Sequence, residues 1–430
     1  MKIGTNDISK IYLGGVEVSN IYLGTSQVYD GGDTPTPPTP PAPSYDTQYL
    51  TIESTSNNNT IYWRSVYVNE FKTISASTDN GVTWTAYTSS SGQTGTTIAT
   101  LNSGDTIIFK GVNAQYGSKG IFKSTSSFIV YGNVMSLVYG DNFSGQTVLS
   151  SGGTFGSLFS SCSGLTSAEN LVLPATTLAY GCYSQMFYGC TSLSVAPELP
   201  ATTLTDYCYS QMFAECTSLT TAPELPATTL ASFCYQNMFN DCTSLTTAPE
   251  LSATTLASYC YQSMFQGCTS LTTAPQLSAT TLASNCYFNM FAECTSLTTA
   301  PVLPATTLAE GCYSSMFNGC TSLTTAPELP ATTLAEYCYE SMFAECTSLT
   351  TAPELSATTL TEGCYTEMFL GCDTLNYIKC LATDISASDC TGYWVDTVAP
   401  SGTFVKAASM NDWTTGENGI PYDWDVEDAD

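Results

Sequence analysis

The sequence predicts a multidomain fold of β plus α/β type: a small N-terminal β docking module, an immunoglobulin-like β-sandwich, and an α/β solenoid built on a 26-residue repeat. Three observations carry that reading. A pattern of Cys, Met and Phe returns every 26 residues from Thr176 onward. Short alternating apolar runs fill residues 45–150, which hold no Cys. A proline-dense stretch, residues 31–44, separates this body from thirty leading residues with a ten-residue repeat of their own.

The leading residues read KIGTNDIS, KIYLGGVEVSN and NIYLGTSQVYD, with Gly4, Gly14 and Gly24 aligned. Each unit reads as strand, Gly turn, strand. So short a chain cannot bury enough apolar surface to stand alone, because below ~40 residues a partner is usually needed. Residues 1–30 are therefore expected to dock, through Ile11, Tyr12, Leu13, Val18, Ile21, Tyr22, Leu23 and Val28. The segment GGDTPTPPTPPAPS at 31–44 follows as a semi-rigid polyproline II spacer.

Residues 45–150 contain TQYLTIE, TIYWRSVYV, KTISAS, VTWTAY, DTIIFKGV and SFIVYG. Asp79-Asn80-Gly81 between two of these runs is a hairpin signal, since Asn-Gly accepts positive φ. Short strands at ~8–12-residue spacing predict a sandwich, with Trp63 and Trp84 as core aromatics.

The repeats occupy residues 151–405 with their caps. Cys182, Cys208, Cys234 and their successors to Cys364 form one column; Cys190, Cys216, Cys242 and their successors to Cys372 form a second. A fixed period of this size marks a solenoid with atypical ends. Within Thr205–Cys216, the residues Cys208, Tyr209, Met212, Phe213 and Cys216 fall at 0, +1, +4, +5 and +8, one face of an α-helix. The following TSLTTAPELPATTL suits short extended segments. Stacked strands lie ~4.8 Å apart, so the strict units span roughly 40 Å. Residues 406–430 end in PYDWDVEDAD and are expected to be a solvated acidic tail.

The recurring Met212-Phe213, Cys216-Thr217-Ser218-Leu219 and Leu225-Pro226 resemble the BspA-like branch of leucine-rich repeat proteins. The resemblance covers about residues 155–405 and implies a curved leucine-rich repeat solenoid with a parallel sheet on one side. The near identity of the units departs from a family member with one finely tuned site. The IYLG-x-x-x-V pattern also resembles N-terminal segments of gut bacteriophage virion proteins. GNVMSLVYGDNF and SGTFVKAASMNDWTTGENGIP look like parts of phage and prophage leucine-rich repeat proteins.

Composition narrows the chemistry. With no His there is no Ser-His or Cys-His catalysis and no imidazole switch. The net charge of −28 disfavours nucleic acid and anionic lipid as partners. No apolar run of ~18 residues exists to span a bilayer. The leading MKIGTNDISK lacks an apolar core, so a secretory signal is not expected. No Lys or Arg occurs between Lys123 and Lys379.

The repeated cysteines read as buried reduced thiols, with scattered disulfides or a metal as the alternatives; Cys208 and Cys216 would stand about 12 Å apart on a helix, too far to bridge. No C-x-x-C occurs. The recurring Glu224, Glu250, Glu328 and Glu354 read as a solvated acidic surface, or as weak cation ligands. Tyr207, Phe233, Tyr259 and Tyr337 form an outward column. Those rings either pack between coils or meet the apolar faces of sugars beside the carboxylates.

These readings lead to three expectations. The first is a phage virion protein, a head or tail fibre, assembled in the host cytoplasm. It would dock to capsid or tail through residues 1–30 and present the repeats to a host glycan or protein as a homo-oligomer, with a trimer expected. The second is a bacterial surface adhesin. The third is a glycan depolymerase, which would need one unique carboxylate pair where only copies occur. No catalytic residue, metal or cofactor is assigned.

Overall fold

The computed structural model describes residues 44–92 and 95–429, together with the backbone of six short strands in residues 1–30. The chain divides into two compact units, Met1–Ser44 and Tyr45–Asp430.

In the first unit, β1 (Lys2–Ile3) pairs antiparallel with β2 (Asn6–Asp7), β3 (Tyr12–Leu13) with β4 (Val16–Glu17), and β5 (Asn20–Leu23) with β6 (Ser26–Asp30). Of the expected docking residues, Ile11 and Val18 lie outside the described residues. For Tyr12, Leu13, Ile21, Tyr22, Leu23 and Val28 only the backbone is described. The spacer, residues 31–43, also lies outside the described residues.

The second unit begins with two antiparallel sheets. One orders β10 (Thr85–Thr88), β9 (Thr73–Ser77), β12 (Thr106–Lys110), β7 (Leu50–Ser54) and β14 (Phe128–Asn133). The other orders β11 (Thr96–Leu101), β8 (Asn59–Arg64) and β13 (Ile121–Ser124). Burial alternates along β8, so Asn59, Ile61 and Trp63 face inward, and Leu50, Ile52, Phe109, Phe122 and Val130 complete the core. Asn80 and Gly81 take positive φ between β9 and β10. There the Asp79 carboxylate accepts hydrogen bonds from the Ser77 hydroxyl (2.6 Å) and the Thr83 amide (2.8 Å). These bonds, the Ser77 one foremost, hold its pKa down at about 2. Trp63 is a core residue as expected, but Trp84 is not: it is half-buried, with the Lys110 ammonium 4.2 Å from its ring centre.

The sandwich continues into the repeats without a break. β14 pairs in parallel with β15 (Leu165–Ser167) and β16 (Leu171–Val172) of the first repeat. One core is shared, because Phe122 stacks on Phe159 at 5.4 Å and Tyr116 on Phe155 at 6.4 Å.

The expected repeat helix is absent. The only α-helix among the described residues is α1, Ser136–Tyr139. Tyr207, Gln211 and Glu215 have φ of 59°, 57° and 60°, left-handed values that an α-helix excludes. The amides alternate their acceptors. Cys208, Ser210, Met212, Ala214 and Cys216 donate to carbonyls three residues back, at 3.1–3.3 Å. Tyr207, Tyr209, Gln211, Phe213 and Glu215 donate to Ser232, Cys234, Gln236, Met238 and Asn240 of the next repeat, at 2.8–3.1 Å. Each segment is a chain of overlapping turns that also acts as one rung of a ladder.

Ring spacing requires this. Phe187, Phe213 and Phe239 stack at 5.5 and 5.7 Å, whereas packed helices stand ~8–10 Å apart. Helices would pull neighbouring rings out of contact. Two buried ladders result, one from Phe122 through Phe369 and one from Tyr116 through Tyr365, and both reach Trp394.

The Thr- and Pro-rich half of each repeat makes isolated parallel bridges, such as Thr221↔Thr247 and Thr229↔Thr255. Pro223 and Pro226 lack the amide a longer ladder would need. The chain is thus mostly β, with its 26-residue repeats in the C-terminal region.

The C-terminal segment is not a free end. β17 (Tyr377–Cys380), β18 (Thr403–Lys406) and β19 (Asp425–Asp428) form a parallel sheet. Trp413 stacks on Trp394 at 5.6 Å and Trp424 is buried. Apolar residues spaced among the carboxylates anchor the segment, while the side chains of β19 stay exposed.

Candidate functional site

Every fourth residue of the turn segments takes positive φ, so the repeats present three aligned columns. The first holds Gly181, Tyr207, Phe233, Tyr259, Asn285, Gly311, Tyr337 and Gly363. Tyr207, Phe233 and Tyr259 are half-buried and stack at 4.5 and 4.7 Å with planes 5° apart. Their faces therefore cover one another, and edges are what they offer to solvent. Asn285 donates its amide to the Tyr259 hydroxyl at 3.2 Å. Tyr337 stands apart, donating its hydroxyl to Glu362 Oε1 at 2.9 Å.

The second column is polar: Gln185, Gln211, Asn237, Ser263, Asn289, Ser315, Ser341 and Glu367. The third mixes carboxylates with glycine: Gly189, Glu215, Asp241, Gly267, Glu293, Gly319, Glu345 and Gly371. A Cβ on Gly267 would stand 2.1 Å from Asp241 Oδ1, so the carboxylate lies over the glycine. Like charges one rung apart repel, and the glycines separate most of them. Glu215 and Asp241 are adjacent; partial burial first, then Glu215 and Glu293, raise the Asp241 pKa.

Glu224, Glu250, Glu328 and Glu354 are all exposed, on the Pro-rich side of the repeats. Glu224 lines an open groove of about 480 Å³ with Glu198 and Pro223, and Glu328 one of about 430 Å³ with Pro301 and Val302. Neither groove contains a ring of the aromatic column. Glu354 pairs with Lys379 at 2.9 Å.

All nineteen cysteines are unpaired and buried. Those of the second column tie one rung to the one before: Cys216 Sγ donates to the Phe187 carbonyl at 3.2 Å and Cys242 Sγ to that of Phe213 at 3.1 Å, a pattern repeated along the stack. Burial pushes the thiols up, Cys242 and Cys294 to about 12. Among the described residues, no group of three or more Cys, Asp or Glu could hold a metal ion.

The repetition breaks at its start. Where the sandwich meets the first repeats, a cleft of about 580 Å³ is lined by Gln115, Ser118, Gly153, Ser157, Tyr180, Gln185 and Tyr207, among others. Tyr180 is 61% exposed and tilts by 52° against Tyr207, 5.3 Å away. Of the residues foreseen from sequence only Tyr207 reaches this cleft. Column reasoning misses Tyr180 because it sits one residue outside the aromatic column. The run SSGGTFGS at 150–157, which departs from the repeat, is the signal that could have found it.

The family model for the BspA type leucine rich repeat region matches in six copies over residues 156–298 and 261–388. No curated protein matches the chain.

Proposed function

The chain belongs to the BspA-type leucine-rich repeat family, and from that premise we propose that it is an adhesive binding protein whose repeats form a solenoid displayed for recognition. The observation that carries this is the alignment of side chains in partly exposed columns along repeats whose family match extends over more than half of the sequence. In our reading residues 1–30 dock the protein to the head or tail of a bacteriophage particle as a homo-oligomer. The repeats then meet a glycan or protein of the host surface. The ten-residue hairpin repeat, too small to bury its own apolar faces, supports docking. We assign no catalytic role, because the exposed carboxylates are copies of one another.

A bacterial cell-surface adhesin accommodates the family match equally well. Immunogold labelling with an antibody to the full chain separates the two. Label on purified particles supports the phage reading, and label confined to a bacterial envelope fraction replaces it. Failure of the full chain to adhere to any host cell would overturn the adhesive reading in both forms.

A further inference from the structure

We propose that the cleft between the sandwich and the first repeats binds a neutral saccharide, with a sugar ring stacked on Tyr180 and its hydroxyls bonded to Gln115, Ser157 and Gln185. The inference rests on the adhesive reading and names its ligand class.

The cleft is built by omission. Amide pairing makes Gly153 the counterpart of Gly181 and Tyr207, since each donates to the next rung in the same way. Two successive rungs thus carry no side chain where the third carries a ring, and space opens beneath Tyr180. A Cβ on Gly153 would lie 3.5 Å from the Gln115 amide, so that amide roofs the gap.

Its chemistry is also set apart. The chain carries a net charge of −28, yet no Asp, Glu, Lys or Arg lines the cleft. Phosphate or sialic acid would find no cation there. Tyr180 terminates the stack of Tyr207, Phe233 and Tyr259, and its tilt leaves a ring face open while the inner rings are covered. Aromatic rings present an apolar face, the complement of the C–H face of a sugar.

The polar wall is ordered in advance. The Ser118 hydroxyl bonds Ser157 at 2.9 Å, Ser157 bonds Gln185 Oε1 at 3.4 Å, and Gln185 Nε2 donates to Gln211 Oε1 at 2.6 Å. Side chains already held in place lose less entropy when a ligand arrives. The backbone here is paired between rungs, which disfavours an added peptide strand.

The test applies the full chain to an array of neutral oligosaccharides of glucose, galactose, mannose and rhamnose, with sialylated and sulfated sugars alongside. Binding to a neutral sugar is expected, weakened about tenfold by Tyr180→Ala and retained in Tyr180→Phe. Gln115→Ala, an exposed site, gives a second loss that does not depend on the ring. Circular dichroism of each variant verifies folding. Binding untouched by both alanine variants, or confined to acidic sugars, overturns the proposal. Adhesion to host cells with no neutral-sugar signal also overturns it while leaving the adhesive function standing. Absence of both defeats the two readings together.

Discussion

The ring of Tyr337 lies directly over Gly363, where a Cβ would stand 2.3 Å from two ring carbons. The pair shows how one rung constrains the next: with this ring, at φ 55°, laid over the following rung, the residue there, at φ 58°, has no room for a side chain, whereas Phe233 and Tyr259 follow Tyr207 by stacking ring on ring.

Gly363→Ala is therefore expected to cost about 2–5 kcal/mol, about 1–2 from left-handed strain and about 1–3 from overpacking. In a Tyr337→Ala background the loss should shrink to the backbone component, about 1–2 kcal/mol. Urea unfolding of the four proteins gives the coupling. Equal losses in both backgrounds would show that the ring does not press on Gly363.

The two kinds of aromatic column should differ in weight. Phe239 is fully buried in the inner ladder, so Phe239→Ala is expected to cost about 3–5 kcal/mol. Phe233 is half-buried but stacks on both Tyr207 and Tyr259, so Phe233→Ala should cost about 1–3 kcal/mol, the value of two stacked pairs. Denaturant midpoints decide, and similar costs would mean that the outer stack is a second core.

Native thiols should be inert. At pH 8 a colorimetric thiol reagent is expected to react with almost none of the nineteen cysteines, and with all of them in urea. The burial that protects them also sets a base limit. Their folded pKa values, about 12 for Cys242, Cys260 and Cys294, lie above the unfolded value of roughly 8.5. Above that value the unfolded chain releases protons that the folded chain retains. Stability is thus complete below about pH 8.5 and falls as pH rises toward 12. A midpoint unchanged between pH 8 and pH 10.5 would contradict this.

Asp241→Asn should raise the urea midpoint at pH 7. The raised carboxylate pKa means that the folded state favours the proton, so ionisation above pH ~4 works against folding. Concentrated salt should narrow the gap between variant and parent by screening Glu215 and Glu293. A gap that widens with salt would assign the effect to something other than charge.

The 26-residue period and its apolar columns are legible in the sequence, since Cys208, Met212, Phe213 and Cys216 are core residues in every unit. The expectation of a helix fails for a traceable cause. Positions 0, +1, +4, +5 and +8 fit a four-residue turn period as well as one of 3.6. The corrective signal stands in the intervening columns, where Gly181, Gly189, Asn237 and Asp241 are residue types that tolerate positive φ. The cleft is harder to see, because Gly153 and Gly181 act by what they lack and Tyr180 lies out of register. Trp84 resembles Trp63 by composition, but only a fold places Lys110 above its ring.

β14 offers the first repeat a ready-made edge, and Trp394 with Trp413 closes the last. Between those terminations the turn segment of each unit hands on the same donors and acceptors it receives. Excising or duplicating 26 residues would leave the turn-segment amides opposite carbonyls and both closures intact. Reach is consequently an adjustable quantity in this protein, one that recombination between near-identical stretches can reset without redesigning either terminus.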